Sequence, residues 1–252
     1  KVEHPNPVLS LTNGFGPQET LDWYQRLIRL NPNVENADFI LEPKLDGLSV
    51  ILHYERGVFT LGATRGDGFV GEDITANLRT ISSLPLRIPV KPDTNAPEHI
   101  VFRGEALILK EDFNKLNAEL EILGEKTYLN PRNTAAGSLR QLDPAITAKR
   151  PIKLFIYQIL SSTDPIPSTQ AKILSYIAEL GLPTNLIRWQ AKSIHEAIEI
   201  CESQTYDRHN WPFEADGIVI KINDQRLYNA LGFIGKDARG AIAYKYPGEI
   251  IE

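Results

Sequence analysis

The chain is nearly without sulfur. Its 252 residues include one cysteine, Cys201, and no methionine. A single thiol excludes an internal disulfide framework and a cysteine-built zinc site within these residues. It fits a reducing compartment, and a cytoplasmic location is expected. Long apolar runs are also missing. No stretch approaches the roughly 20 apolar residues of a membrane span, so no membrane partner is expected. The N-terminus lacks the charged head, apolar run and cleavage site of a signal peptide. With no methionine and an opening at Lys1, the chain reads as an excised piece of a longer protein. A surplus of positive charge is absent too. The 27 Lys and Arg against 32 Asp and Glu leave a net −5, which does not advertise a nucleic-acid binder. What is present is the composition of an ordinary soluble globular protein, 42% hydrophobic and 23% charged, long enough to bury a substantial core as a monomer.

The charge is unevenly spread. From Lys126 to Lys153 the positives are Lys126, Arg132, Arg140, Lys149, Arg150 and Lys153, and the only negative is Asp143. Such a stripe either tracks a phosphate backbone or forms a solvated face.

Periodicity predicts a helix from Pro17, with Leu21, Tyr24, Leu27 and Ile28 on one face. Strands are expected at Asp38–Glu42, Leu48–Tyr54, Val58–Thr64, Ile100–Ile108, Ile152–Leu160, Asp216–Ile222 and Ala241–Tyr246, with a turn at Glu55-Arg56-Gly57. Helices are expected near Glu111–Leu123, stopped by Gly124, and at Ser168–Leu180, stopped by Gly181 and Pro183. Ser193 and Glu196 form a capping-box pattern at the start of another. Asp93–Pro97 and Ser161–Pro167 read as loops. Hairpin-joined strands with irregularly interspersed helices imply an α+β fold with mainly antiparallel sheets.

The first chemical candidate is Glu42-Pro43-Lys44-Leu45-Asp46-Gly47. K-x-D-G arises by chance in roughly one chain in twenty of this size, so alone it is weak. Its chemistry is specific all the same. A lysine amine attacks an α-phosphate to form a phosphoramidate, splitting one hard phosphoryl transfer into two easier ones. A free lysine titrates near about 10.4, so a site that uses one as a nucleophile needs other cations beside it. Lys221 and Lys245 sit inside strongly apolar runs, where a lysine must find an anion or snorkel out. Glu105, in Phe102-Arg103-Gly104-Glu105, and Asp216, before Gly217, supply carboxylates for a ribose hydroxyl or Mg²⁺. Surface salt bridges are the alternative for each.

Taken in order, K-L-D-G, F-R-G-E, a strand with Tyr157, A-D-G-I-V-I-K and A-Y-K-Y resemble the ordered motifs of the covalent nucleotidyltransferases: DNA ligases, RNA ligases and mRNA capping enzymes. Thr64-Arg65-Gly66-Asp67-Gly68, Gly71-Glu72-Asp73-Ile74-Thr75, Asn77-Leu78-Arg79-Thr80-Ile81, and Asn130-Pro131-Arg132-Asn133 leading into Ala135–Asp143 are narrower. With the opening His4-Pro5…Val8-Leu9-Ser10-Leu11, they resemble the adenylation domain of bacterial NAD-dependent DNA ligases from about Val2 to Pro247. The resemblance implies the nucleotidyltransferase fold across residues 1–252, and a set of roles. Lys44 is the adenylated nucleophile and Asp46 supports it. Glu42 and the backbone near Leu45 read adenine, while Tyr157 stacks at the base. Arg65 and Glu105 hold the ribose. Lys221 and Lys245 contact the α-phosphate, and Asp216 helps place metal or lysine. Ser10 and Leu11 border the NAD pocket. Arg132 and Arg140 contact the phosphates of nicked double-stranded DNA. Transient Mg²⁺ is implied near Asp46, Glu105 and Asp216, with Zn²⁺ only in a C-terminal part beyond this chain.

The implied reaction forms a lysine–AMP intermediate from NAD with release of nicotinamide mononucleotide (NMN), passes AMP to a 5′-phosphate, and seals the nick. Two departures stand out. The arginine usual in ATP-dependent ligases two positions after K-x-D-G is here Ser49, with Arg65 as its substitute. The tryptophan usual before A-I-A-Y-K-Y-P is here Gly240. The helical NMN-gripping domain, and the oligonucleotide-binding, zinc, helix-hairpin-helix and BRCT domains of that family, are expected outside this chain, leaving a piece weak with NAD. The alternatives are an ATP-dependent ligase, a capping-type enzyme, or a nucleotide- or DNA-binding module without catalysis.

Overall fold

The computed structural model describes residues 1–91 and 95–246. Asp93 and Thr94 of the expected loop, and Pro247, lie outside the described residues. Strands β1 (Val2–Glu3) and β2 (Ser10–Phe15) precede helix α1 (Gly16–Leu30). Strands β3 (Phe39–Leu45), β4 (Leu48–Glu55), β5 (Val58–Thr64) and β6 (Val70–Gly71) follow, then the single turn α2 (Thr75–Leu78). Next come β7 (His99–Ile108), α3 (Lys110–Ile122), α4 (Pro131–Leu139), α5 (Pro144–Ala148) and β8 (Ile152–Ser162). The last elements are α6 (Gln170–Glu179), β9 (Trp189–Ala191), α7 (Ile194–Asp207), β10 (Ala215–Ile222), α8 (Gln225–Leu231), β11 (Phe233–Ile234) and β12 (Asp237–Lys245).

Two sheets dominate. One runs β5-β4-β7-β8; the other runs β11-β12-β10-β3-β9 with β2 added beside β12. The pairings are antiparallel except β2 on β12, which is parallel. The four-stranded sheet packs Val50, Leu52, Phe102 and Ile156 against Leu78, Leu139 and Ile173. The six-stranded sheet packs Phe39, Leu41, Ile218, Ile220 and Ile242 against Trp23, Leu27, Ile198 and Cys201. Helices α2, α4 and α6 thus pack on the first sheet and α1 and α7 on the second, and Cys201 is a buried core residue. Among the described residues no helix is long and apolar enough to cross a membrane.

Local chemistry explains the joints. The β4–β5 hairpin turns on Arg56 and Gly57, with φ of 45° and 77°, the double left-handed geometry that matches strand twist. Ser193 accepts from Glu196 N, while the Glu196 carboxylate reaches back to Lys192 N. The expected capping box therefore closes one residue further out. Helices α4 and α5 were legible only as a motif string; each starts on a proline behind an Asn130 or Asp143 side-chain cap. Strand β12 begins at Asp237, earlier than expected, and β8 runs on through Ser161 and Ser162, which were read as loop. At Gly240 the Tyr228 ring lies where a side chain would begin: a Cβ there would sit 2.6 Å from it. The Tyr228 ring thus occupies the space that a larger residue at 240 would need.

Candidate active site

Asp46 and Gly47 alone join β3 of one sheet to β4 of the other. The K-x-D-G string is therefore the crossing between sheets, and Lys44 sits at its brink. Gly47 is required sterically, since a Cβ would come within 2.3 Å of the Ala106 carbonyl. Its N–H donates to Glu105 Oε1 at 3.2 Å, and Asp46 N donates to Glu214 O at 3.0 Å. The expectation had Lys44 just past a strand end; it lies within β3.

Opposite Lys44, β10 is bulged. Register passes from Ala215↔Leu45 to Ile218↔Pro43, so Asp216 and Gly217 together face one residue. A bulge re-aims side chains, and here the Asp216 carboxylate meets Lys44 Nζ at 3.2 Å through both oxygens. Lys245, paired with Gly217 across β12, donates to the same carboxylate. Burial would raise Asp216, but the hydrogen bond and charge of Lys245, joined by Lys44, hold it below the usual carboxylate range.

The second half of the site lies deeper. Lys221 Nζ donates to Glu42 Oε2 at 2.8 Å and stands 5.1 Å from the Tyr157 ring centroid. Tyr157 is the extra residue of a bulge in β8, between the pairs Gly104↔Ile156 and Arg103↔Gln158. Burial pushes its hydroxyl up to about 12, so it stays protonated and donates to Glu105 Oε2 over a long 3.4 Å. Burial likewise pushes the Glu105 carboxyl up to about 7, against the pull of Arg103, the Gly47 N–H, Lys44 and Arg132.

These groups line one cleft of about 670 Å³ between the sheets, with Ser10, Leu11, Glu42, Lys44, Leu45, Arg65, Glu105, Arg132, Tyr157, Asp216, Lys221 and Lys245 in its wall. That volume suits a nucleotide-sized ligand. The expected ring of cations around Lys44 is interleaved with carboxylates. Lys245 shares Asp216 with it, Lys221 pairs with Glu42, and Arg65 donates to Val8 O and Ser10 Oγ. Asp46, expected to support Lys44, pairs with Arg132 at 2.9 Å. Arg140 lies outside the cleft wall and pairs with Glu72 on the exposed surface. With Asp46 and Asp216 taken by cations, a divalent ion held by protein groups alone does not fit. Among the described residues no three His, Cys, Asp or Glu are placed to hold one.

Arg103 and Gln170 are among the cleft residues that had no assigned role in the sequence. Arg103 donates to Ser49 Oγ and Leu9 O and stands 5.7 Å from the Tyr157 ring centroid. It was visible in the F-R-G-E string. Gln170 had no signal beyond its place near a helix start.

The family model for the NAD-dependent DNA ligase adenylation domain matches residues 1–249. A DNA ligase from Dehalococcoides mccartyi (strain CBDB1) is 45% identical over 249 residues, covering 98% of this chain and 36% of that protein. One from Myxococcus xanthus (strain DK1622) is 43% identical, covering 99% of this chain and 37% of that protein. The chain thus spans little more than a third of the length of these relatives. Among solved structures, a putative ATP-dependent DNA ligase from Aquifex aeolicus aligns with a TM-score of 0.48 at 15% identity, over 97% of this chain and 50% of that one.

Proposed function

This chain belongs to the NAD-dependent DNA ligase adenylation domain family, and on that premise we propose that Lys44 carries AMP from NAD to the end of a nicked DNA strand. The observation that supports it most is the shared carboxylate, with Lys44 and Lys245 both on Asp216 at the mouth of a nucleotide-sized cleft. In the proposed reaction the Lys44 Nζ lone pair attacks the α-phosphorus of NAD. A P–N bond forms and the P–O bond to nicotinamide mononucleotide breaks, its electron pair leaving on the mononucleotide's phosphate oxygen; the attacking neutral amine gives up one proton to solvent, leaving an N–H phosphoramidate that is neutral at nitrogen. AMP then moves to a 5′-phosphate, and a 3′-hydroxyl displaces it.

Asp216 orients the two lysines. The incoming phosphate competes with it for their N–H groups, which brings Lys245 onto the developing charge and releases Lys44 to attack. Glu42 and the Leu45 backbone meet the adenine edge, Tyr157 its face, and Glu105 with Arg65 the ribose; Lys221 reaches the phosphate side from Glu42. Arg132 exchanges Asp46 for a DNA phosphate and Arg140 exchanges Glu72 for another, since charge-assisted arginine pairs transfer readily between the two oxyanions. The test is nick sealing by the whole enzyme carrying this chain. Sealing with NAD and not ATP, abolished by Lys44→Ala, is expected. Sealing that survives Lys44→Ala rejects the assignment.

A further inference from the structure

The side chain of Gln170 is only 5% exposed with its residue, yet it lines the cleft. Its amide nitrogen donates twice, to Glu42 Oε2 at 3.2 Å and to the Tyr157 carbonyl at 2.9 Å. Both partners are acceptors, so the orientation of the amide is fixed: nitrogen toward the strands, oxygen away. The backbone behind it is fixed as well. Gln170 N donates to Asn223 O at 2.8 Å, and Ala171 N to Asn223 Oδ1 at 3.0 Å. The amide therefore ties β3 of one sheet to β8 of the other at the floor of the cleft.

The consequence falls on Glu42. With Lys221 and Gln170 both on Oε2, the carboxylate cannot rotate without breaking two buried hydrogen bonds. Its Oε1 makes no hydrogen bond among the described residues, and is left as a fixed acceptor for whatever enters. The same amide sets the backbone of Tyr157, whose ring borders the same space. A carboxylate oxygen accepts from an N–H and repels a carbonyl lone pair. Resting on the nucleotide reading above, we propose that Gln170 is a positioning residue for base selection: through Glu42 it makes the cleft accept a 6-amino purine and refuse a 6-keto purine.

The test is calorimetric titration of the 252-residue chain with AMP and with inosine 5′-monophosphate, which differ in the 6 substituent and in the proton that N1 carries beside a 6-keto group. The wild type is expected to prefer AMP. Gln170→Met keeps the length and removes the donors. It is expected to weaken AMP binding about tenfold, the worth of roughly one charge-assisted hydrogen bond, while moving the inosine nucleotide much less, so the preference narrows. Should the methionine variant not fold, Gln170→Leu is read the same way, because it also loses both donated bonds and adds no charge beside Glu42. Equal weakening of both nucleotides marks Gln170 as merely structural and overturns the proposal, as does an unchanged preference. A wild type that binds neither nucleotide, or shows no preference, removes the adenine reading of Glu42 and this inference with it; a wild-type preference retained in the variants removes only the role of Gln170.

Discussion

Glu105 carries opposed demands in one side chain. Burial lifts its carboxyl from 4.5 to about 7. Between those values the folded chain holds a proton that the unfolded chain has released, so stability falls as pH rises through the window, with the full cost present above 7. Asp216 runs the other way: its depressed carboxyl contributes stability above the unfolded value and loses it as pH falls through the folded one. Glu105→Gln is expected to flatten the decline, so that the melting temperatures of wild type and variant diverge between pH 4.5 and 7. Parallel melting curves across that range rule out the buried, proton-holding Glu105. Lys221 and Glu42 give a second prediction. Their side chains are 15% and 10% exposed. Lys221→Met strands the carboxylate with Gln170 alone and is expected to cost about 3 kcal/mol in urea unfolding; a loss under about 1 kcal/mol would mean that the pair is screened like a surface one. At this scale the carboxylates and lysines were legible, because charge inside an apolar strand demands a partner. Which partner was not, because Lys44 and Asp216 are 172 residues apart and Arg103 and Leu9 are 94 apart.

Elements place these residues through defects in regular structure. The bulge at Asp216–Gly217 and the extra residue Tyr157 in β8 each turn a side chain that strict alternation would have sent elsewhere. Strand existence at both places was readable from apolar alternation. The bulges were not, since they arise from how two strands register, and neither strand's sequence alone states that. The parallel addition of β2 escaped notice for the same reason: Ser10–Phe15 has mixed composition and becomes a strand only against β12. The Gly240–Tyr228 contact yields a prediction at this level. Gly240→Trp drives an indole into the Tyr228 ring and is expected to cost about 1–3 kcal/mol by overpacking. Adding Tyr228→Ala is expected to recover part of it, as a double-mutant cycle of thermal unfolding would report. A neutral Gly240→Trp would show that Tyr228 does not fill that volume.

The whole molecule is two sheets, each with its own core and covering helices, meeting at a cleft whose wall belongs to both. On the proposed function, that arrangement lets an acidic chain serve anionic ligands. The cations assigned to those ligands rest on carboxylates, Lys44 and Lys245 on Asp216, Lys221 on Glu42, Arg132 on Asp46 and Arg140 on Glu72. In the proposed function a phosphate replaces a carboxylate at each of these positions. A ligand that bridges the sheets stabilises both, and AMP at about one hundred times its dissociation constant is expected to add about 2.7 kcal/mol. The most direct measurement of the central claim is intact mass of the chain after prolonged incubation with NAD, followed by peptide mapping. The account predicts one added adenylyl group on the peptide bearing Lys44, absent from Lys44→Ala. An adenylyl group mapped to any other residue, or retained by Lys44→Ala, contradicts it.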